Sequence, residues 1–478
     1  MMQSSFSPAE GFGKAVCGSF AALRFDDIPD DVMARLKLFL LDSIGTVAAG
    51  VFAPGVEELA RRLARWESSG SATVLGRGRR VSPPSAAMVN AAAAHALDFD
   101  DQHDPTRVHS YCCVVPAVLA TAEDLGNVSG EAILEAVACG VEFHARLGDA
   151  CMESFERGWM PTVTFGTLAS AMAAGKILGL DADGLANAVG LAYHQASGNG
   201  QARTDQTLAK RLGPGFAARS GVLSAFLAAD GVTGPHRALE GRDGLFRLYL
   251  DGRADASRLQ AGLGTRWYVS EFSMKPYPGC RCNHTVIDMG TRLHAEKLDP
   301  EAIERVQIYL GEVNYSTVQG KYDPELGSQV HAQFNAAYNL ARAIIDGGVS
   351  LASFSDEAIR DERVASLAAR IDAFVDPGIP VNATGPARLK VFLRDGGEIE
   401  LSRDTMPGSP ARPLSVNAVR RKFEDCVVHG LGADTDKVQE LASCILDIEH
   451  SNIECLVAAF PAGQNEAGKG GEFEIHAV

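Results

Sequence analysis

The sequence predicts a mainly α protein in which a large all-helical domain carries a smaller α+β domain. Two observations predict it. From Pro29 to about Ala229 nearly every stretch places apolar residues at helical spacing, and that spacing returns from Val416 to Phe460. Strand signals appear only between these regions. Val306-Gln307-Ile308-Tyr309-Leu310 alternates, and Arg388–Leu393 and Glu398–Leu401 flank the turn Asp395-Gly396-Gly397. The boundaries that follow are a helical domain over 1–268, completed by 410–478, and an α+β domain over 269–409.

Pro29-Asp30-Asp31 opens a helix that runs through Ala48, with both acids at its positive end. Val56 to Trp66 is a second, its Val56, Leu59 and Leu63 on one face. Ala72–Leu75 and Arg79–Val81 make a small hairpin around Gly76-Arg77-Gly78. Pro83-Pro84 admits an Ala-rich helix, Ser85 to Ala96, and Val115 to Leu125 is another. Ser129 starts a helix to about Ala150. Helices over Gly166–Leu180 and Asp181–Ser197 follow, then a loop, Gly198–Gly215, and a helix, Phe216–Ala229. In the second domain, helices Asn283–Glu296 and Ala332–Ile345 lie between the strands. The Gly-rich tail Pro461–Val478 is expected to be loosely held.

A net charge of −16 argues against a nucleic-acid partner and against an anionic membrane surface. Apolar runs such as Leu38–Val51 are too short or too broken to span a bilayer, and Met1–Phe12 lacks the basic-then-apolar pattern of a signal peptide. Ten cysteines occur with no C-x-x-C pair, which reads as reduced thiols in a cytoplasmic protein and disfavours a structural zinc site. No Walker motif, G-x-G-x-x-G or G-x-S-x-G is present, so no nucleotide, redox cofactor or serine nucleophile is expected.

The chemistry concentrates in the loop Ala96–Ser110. Asp98, Asp100, Asp101 and Asp104 share it with His103, His109 and Arg107, between two apolar helices. Such a loop caps helices, binds a metal or performs acid–base work. The spacing of His103, Asp104 and His109 fits no standard metal-ligand set. Two further stretches are basic. Arg203, Lys210, Arg211 and Arg219 stand against one acid, Asp205; Lys275, Arg281 and His284 surround a Pro/Gly turn that opens a helix. Either stretch suits an anion. Cys280 has no evident His–Asp partner, and Tyr338 lies within an apolar helix, a setting more typical of a core residue. Cations that hold carboxylates, beside an imidazole that moves a proton α to one of them, make a single consistent chemistry.

At these residues the sequence resembles the MmgE/PrpD family over about residues 10–455. The motifs are His95-Ala96-Leu97-Asp98-Phe99-Asp100-Asp101 with His109, Gly158-Trp159-Met160-Pro161-Thr162, Thr207-Leu208-Ala209-Lys210-Arg211, and Lys275-Pro276-Tyr277-Pro278 with His284. The resemblance implies a cofactor-free homodimeric enzyme with a helical and an α+β domain. Its members dehydrate 2-methylcitrate, decarboxylate cis-aconitate or epimerise iminodisuccinate. Carried over residue by residue, Asp98, His109, Lys210, Lys275 and Tyr338 match positions that line the family's active site. Two departures stand out. Met160 occupies the place of the usual histidine and cannot exchange a proton. Gln102 follows the Asp-Asp pair where threonine is common, and His103 is the candidate to replace the missing imidazole.

The reading is a cofactor-independent lyase on a di- or tricarboxylate. Its catalytic residues are His109, Asp98, Lys210, Lys275 and Tyr338. Asp101, Gln102, His103, Met160, Arg211, Arg281 and His284 bind the substrate. No metal and no nucleic-acid or membrane partner is expected. The alternatives are an epimerase of an amino-dicarboxylate, a non-catalytic carboxylate-binding protein on the same scaffold, and a metal-dependent hydrolase.

Overall fold

The computed structural model describes residues 11–381 and 383–463, so the outer ends of the expected helical domain and most of the tail after Pro461 lie outside the described residues. The architecture is mainly α with a smaller α+β part. The described residues form nineteen α-helices, a two-stranded hairpin of β1 (Ala72–Val74) and β2 (Arg79–Val81), and one four-stranded sheet. The helices that carry the site and its supports are α1 (Asp30–Gly50), α2 (Pro83–Ala96), α3 (Tyr111–Leu125), α4 (Gly130–Ala150), α5 (Pro161–Ile177), α6 (Ala209–Ala229), α7 (His284–Ala295), α8 (Ala336–Asp346) and α9 (Val416–Leu431).

Small residues set the helical packing. Every residue of α2 from Ser85 to Ala96 is buried, so this Ala-rich helix has no polar face. It can be central because its neighbours approach closely. A Cβ on Gly215 of α6 would lie 2.5 Å from the Met88 carbonyl oxygen, and one on Gly221 would lie 2.4 Å from the Ser170 Cβ of α5.

That packing explains one difference from the sequence reading. Helix α6 begins at Ala209, not Phe216. Gly213-Pro214-Gly215 reads as a breaker, yet the helix carries Pro214 in its interior despite the lost backbone bond and the crowding of the Lys210 carbonyl, and Gly215 is what the contact with α2 demands. Lys210 and Arg211 therefore stand on the first turn of a rigid helix. Helix α5 likewise starts early, at Pro161, where a proline has no backbone donor to lose. The helix expected over Ala332–Ile345 is two pieces, Gln329–Gln333 and α8. Asn335 separates them, and its side-chain oxygen accepts the Tyr338 N–H at 2.9 Å.

The sheet runs in the order β4 (Ile371–Val375), β3 (Ile303–Leu310), β5 (Ala387–Leu393), β6 (Glu398–Arg403). β3 pairs parallel with β4 and antiparallel with β5, and β5 pairs antiparallel with β6. Val306, Ile308, Leu310, Leu389 and Val391 bury one face. The edge strand β4 escaped the sequence reading because it is mostly solvent-facing and carries no alternation.

Buried apolar residues fall into two main clusters. One draws on Phe12 to Met274 and on Val419 to Leu456; the other draws on Cys280 to Leu401. The returning helix α9 packs on α1 and brings Lys422 under the loop Ala96–Ser110. Its ammonium lies 2.6 Å from Asp42 of α1 and donates to the Phe99 carbonyl at 2.7 Å, with the Phe99 ring centroid at 4.0 Å. The last part of the chain thus anchors the middle of the acidic loop.

Candidate active site

Helix α2 ends at Ala96, and the chain turns through Asp98 at φ 55°, a left-handed conformation unusual for a residue with a Cβ. Contacts on every side hold it there. The Asp98 carbonyl accepts from the Gly279 N–H at 3.0 Å and from Lys275 Nζ at 2.9 Å, and Gln333 donates to the preceding Leu97 carbonyl at 3.0 Å. The α+β part therefore grips the backbone of the acidic loop directly.

The Asp98 carboxylate is bridged by two ammoniums. Oδ2 accepts from Lys210 Nζ at 2.9 Å and Oδ1 accepts from Lys275 Nζ at 2.8 Å. Burial would raise this carboxyl, but the two lysines hold it far below the usual carboxylate range. Burial likewise works against the Lys275 ammonium, and Asp98 and Asp100 outweigh it, so its pKa is raised. Lys275 is fully buried and its two short bonds both go to Asp98, so it neutralises the loop from behind.

A second carboxylate organises two imidazoles. Asp100 Oδ2 lies 2.8 Å from Nδ1 of His95 and 3.3 Å from Nδ1 of His109, a longer and less aligned contact. The rings meet edge to face at 5.0 Å. Burial opposes the charge on Asp100, yet its two histidine contacts draw it well below the ordinary value. Asp100 accepts from Nδ1 of His95, which leaves that ring's lone pair on Nε2, and the Asp100 charge 3.3 Å from Nδ1 of His109 favours the same tautomer there, although that contact falls short of a hydrogen bond. The lone pair of His95 is capped by Lys210 Nζ at 3.1 Å. His109 has no such cap among the described residues and keeps 12% of its side chain exposed, the most open position in the cluster. Its backbone N–H donates to Thr162 Oγ1 at 3.0 Å, which ties it to the first turn of α5.

The structure thus brings Asp98, His109, Lys210 and Lys275 together and adds His95 and Asp100. The sequence reading placed these two in its motif without giving them roles. Their signal was present: a histidine at a helix end and an acid five residues on meet when the chain turns sharply between them.

The other expected residues lie against the chain's own groups. The Asp101 carboxylate accepts the Ser110 and Tyr111 N–H groups at 2.9 and 3.2 Å, so it caps α3; burial and the neighbouring Asp100 charge push its pKa well up. Gln102 pairs its backbone with Ser273 and its side chain with Asp104. His103 hydrogen-bonds Thr106 at 2.8 Å and faces Glu271 at 3.6 Å, packed on Tyr268 and Phe272, so its imidazole does not join the cluster. Arg211 donates to the Pro54 carbonyl and to Gln329, and burial lowers its pKa to about 10. Arg281 contacts Asp104, the Pro407 carbonyl and Nδ1 of His284. His284 is buried, its pKa lowered first by that burial and then by Arg281. Met160 is half-buried against the helical core. Tyr338 sits in the second cluster, where its hydroxyl donates to the Ser353 carbonyl and accepts from Arg342 at 3.2 Å.

His95, Asp100 and His109 also present ligand-type atoms within 4.8 Å of one another. The ammoniums beside them weigh against a divalent ion. Lys210 Nζ touches His95, and Lys275 Nζ stands 3.8 Å from Asp100 Oδ1.

Comparison with known proteins agrees with the motifs. The models of the MmgE/PrpD N-terminal domain and of the MmgE/PrpD C-terminal domain match residues 15–257 and 277–448. The chain is 28% identical to a cis-aconitate decarboxylase of Aspergillus terreus, over 94% of this chain and 95% of that one. It is 27% identical to the cis-aconitate decarboxylase of Mus musculus, over 95% and 96%, and 28% identical to that of Homo sapiens, over 93% and 92%. With both domain models matched and nearly full-length relatives on either measure, the chain belongs to the MmgE/PrpD family.

Proposed function

We propose that this chain is a lyase acting on a di- or tricarboxylate, with His109 moving the proton at the carbon α to a carboxylate. Family membership and the decarboxylase relatives support an enzyme of lyase type; the substrate and the residue roles are our reading. The observation that carries it is the contact between Asp100 and His109 beside the Lys210–Asp98–Lys275 bridge.

Asp100 turns the lone pair of His109 outward and stabilises the imidazolium that forms when a proton is taken. Lys210 uses two donors on Asp98 and His95, and its third can meet the oxygen charge that develops on a substrate carboxylate. In loss of water His109 accepts the α-proton, the electron pair forms the alkene, and the β-hydroxyl leaves as water on a proton from solvent; in loss of carbon dioxide the C–C bond electrons stay on carbon, which takes a proton from the imidazolium. A cytoplasmic homodimer belongs to the same proposal. The ten free thiols are in keeping with the compartment, and the family resemblance is what suggests the dimer. No helix among the described residues is long and apolar enough to cross a membrane.

The test is a panel of di- and tricarboxylates incubated in deuterium oxide and followed by proton NMR. A lyase consumes one of them to an alkene or releases carbon dioxide, and His109→Gln abolishes it. An epimerase instead washes deuterium into recovered substrate with no alkene formed. Turnover by His109→Gln at the wild-type rate would overturn the assignment.

A further inference from the structure

The cations expected to hold carboxylates are largely engaged inside the chain: Asp98 neutralises Lys275, Asp104 neutralises Arg281, and Arg211, though its Nε has no partner, gives its other nitrogens to the Pro54 carbonyl and to Gln329. Two further arginines have neither an ion pair nor such a side-chain bond among the described residues. Among the described residues no carboxylate lies in ion-pair range of Arg107 or Arg203, and Nη2 of Arg107 and Nε of Arg203 are buried without a hydrogen-bond partner. An unmatched buried donor on a charged group costs free energy that a bound anion would recover.

The two side chains converge. The guanidinium carbon of Arg107 lies 4.9 Å from the centroid of the Phe155 ring, and that of Arg203 lies 4.8 Å from the same centroid. Cation–π contact with one ring holds both guanidiniums near Phe155 before any ligand arrives. Arg107 is held at φ 60°, a strained backbone for an arginine, two residues before His109. Arg203 meets the same ring from a different segment of the chain. Its Nη2 is 3.8 Å from where a Cβ on Gly200 would stand, and the Gly200 N–H donates to the Gly158 carbonyl at 2.8 Å. Gly158 opens the turn that contains Met160 and ends at Thr162, the residue bonded to His109. Both arginines also bear on Cys282: after the hydrogen bond from Cys280, burial opposing, their charges help lower that thiol to about 7.

We propose that Arg107 and Arg203 together form a binding site for a carboxylate of the substrate remote from the reacting carbon, on the Phe155 side of His109. The proposal rests on the polycarboxylate reading above and sharpens it. The substrate carries a further carboxylate beyond the one handled by Lys210 and His109. A site with two guanidiniums prefers a tricarboxylate over the dicarboxylate that lacks this group, because charge-assisted bonds to a planar anion are the strong ones.

The test uses two unreactive acids, propane-1,2,3-tricarboxylate and 2-methylsuccinate, which differ by one terminal carboxylate. Titration calorimetry on the full chain should show wild type binding the tricarboxylate at least tenfold more tightly. The double variant Arg107→Met/Arg203→Met should bind the two acids alike, with 2-methylsuccinate affinity within twofold of wild type. Arg107→Lys/Arg203→Lys should restore part of the preference. If wild type binds both acids equally, or the methionine variant keeps the tenfold preference, the two-arginine site is wrong and the polycarboxylate reading stands. If the methionine variant weakens both acids by the same factor, the arginines only support the fold around Phe155. If wild type binds neither acid, the polycarboxylate reading falls and this site with it.

Discussion

Asp100 Oδ2 stands 3.3 Å from Nδ1 of His109, and the same oxygen holds His95 at 2.8 Å. One carboxylate thereby sets the tautomer of the open imidazole and is itself locked in place by the closed one. Asp100→Asn keeps the shape but offers one acceptor at most and no negative charge. His109 would be free to adopt the tautomer with its lone pair turned inward. Where an acid orients a catalytic imidazole, such a change costs roughly 10⁴ in kcat. We expect a loss of about a thousandfold or more, with the melting temperature changed far less. Steady-state kinetics on the polycarboxylate identified by the deuterium experiment checks it, and a loss under tenfold would separate Asp100 from proton transfer.

Lys275 is wholly buried between Asp98 and Asp100. Replacing it with methionine leaves the volume similar and removes the charge that keeps two buried acids ionised. Breaking one side of a buried ion pair costs about 3–5 kcal/mol. Lys275→Met should therefore unfold at distinctly lower denaturant, and Lys275→Met/Asp98→Asn should recover part of the loss. Equilibrium denaturation of the two variants measures this. Equal stability of wild type and the single variant would mean that the acids are neutral without the lysine.

The clustering of Asp98, His109, Lys210 and Lys275 was legible because each sits in a short stretch whose chemistry has no other obvious purpose: acids and a histidine between two apolar helices, a lysine before a helix, a lysine before a Pro/Gly turn. Partners from distant segments were not legible. Arg211 and Arg281 have the charge of ligand-binding residues, but Gln329 and Asp104 meet them from segments 118 and 177 positions away. Tyr338 lies in a helix whose buried side faces a second core, and its hydroxyl finds the Ser353 carbonyl there. Residue type tells what a side chain can do; only the fold tells whether a neighbour has already engaged it. The same limit left Arg203 as one member of a basic stretch and Arg107 as one charge in the loop, without a binding role for either, since an unpaired guanidinium looks identical in sequence to a paired one. The helical class was plain from periodicity, whereas the start of α6 was set by its close contact with α2, a tertiary constraint that local breaker signals contradict.

His95 gives a pH dependence with a definite sign. Burial lowers it to about 4; Asp100 opposes and Lys210 adds to the shift. In an unfolded chain a histidine titrates near ~6.5. Between those values the unfolded chain binds the extra proton, so the contribution of His95 to stability is complete above about 6.5 and is lost as pH falls toward 4, about 3 kcal/mol in all. Buried Glu142 runs the other way: burial, against the pull of Arg146, raises it to about 7, so its contribution is lost as pH rises through that value. The His95 effect is therefore read as a difference. The stability gap between wild type and His95→Gln should shrink from pH 6.5 to pH 4 in denaturant titrations, and a gap independent of pH would show that His95 carries its charge in the fold.

The nitrogens of His95 and His109 with the Asp100 oxygen make a set that zinc could accept by ligand type. Electrostatics argues that the cluster works without it. Lys210 Nζ lies 3.1 Å from His95 Nε2, and Lys275 Nζ lies 3.8 Å from Asp100 Oδ1, so two positive charges already flank the trio. Unit charges about 4 Å apart interact by roughly 4 kcal/mol at the effective dielectric of a protein site, and a divalent ion doubles this for each ammonium. Asp98 and Asp100 together balance the two lysines and leave no net negative charge to attract a cation. Exhaustive dialysis against a chelator should leave kcat within about twofold of the untreated enzyme, and added zinc should inhibit, because binding would need the imidazole lone pair that His109 uses for the proton. One tightly held metal ion per chain by elemental analysis, with activity lost on its removal and restored on its return, would reverse this assignment and make the trio a metal centre.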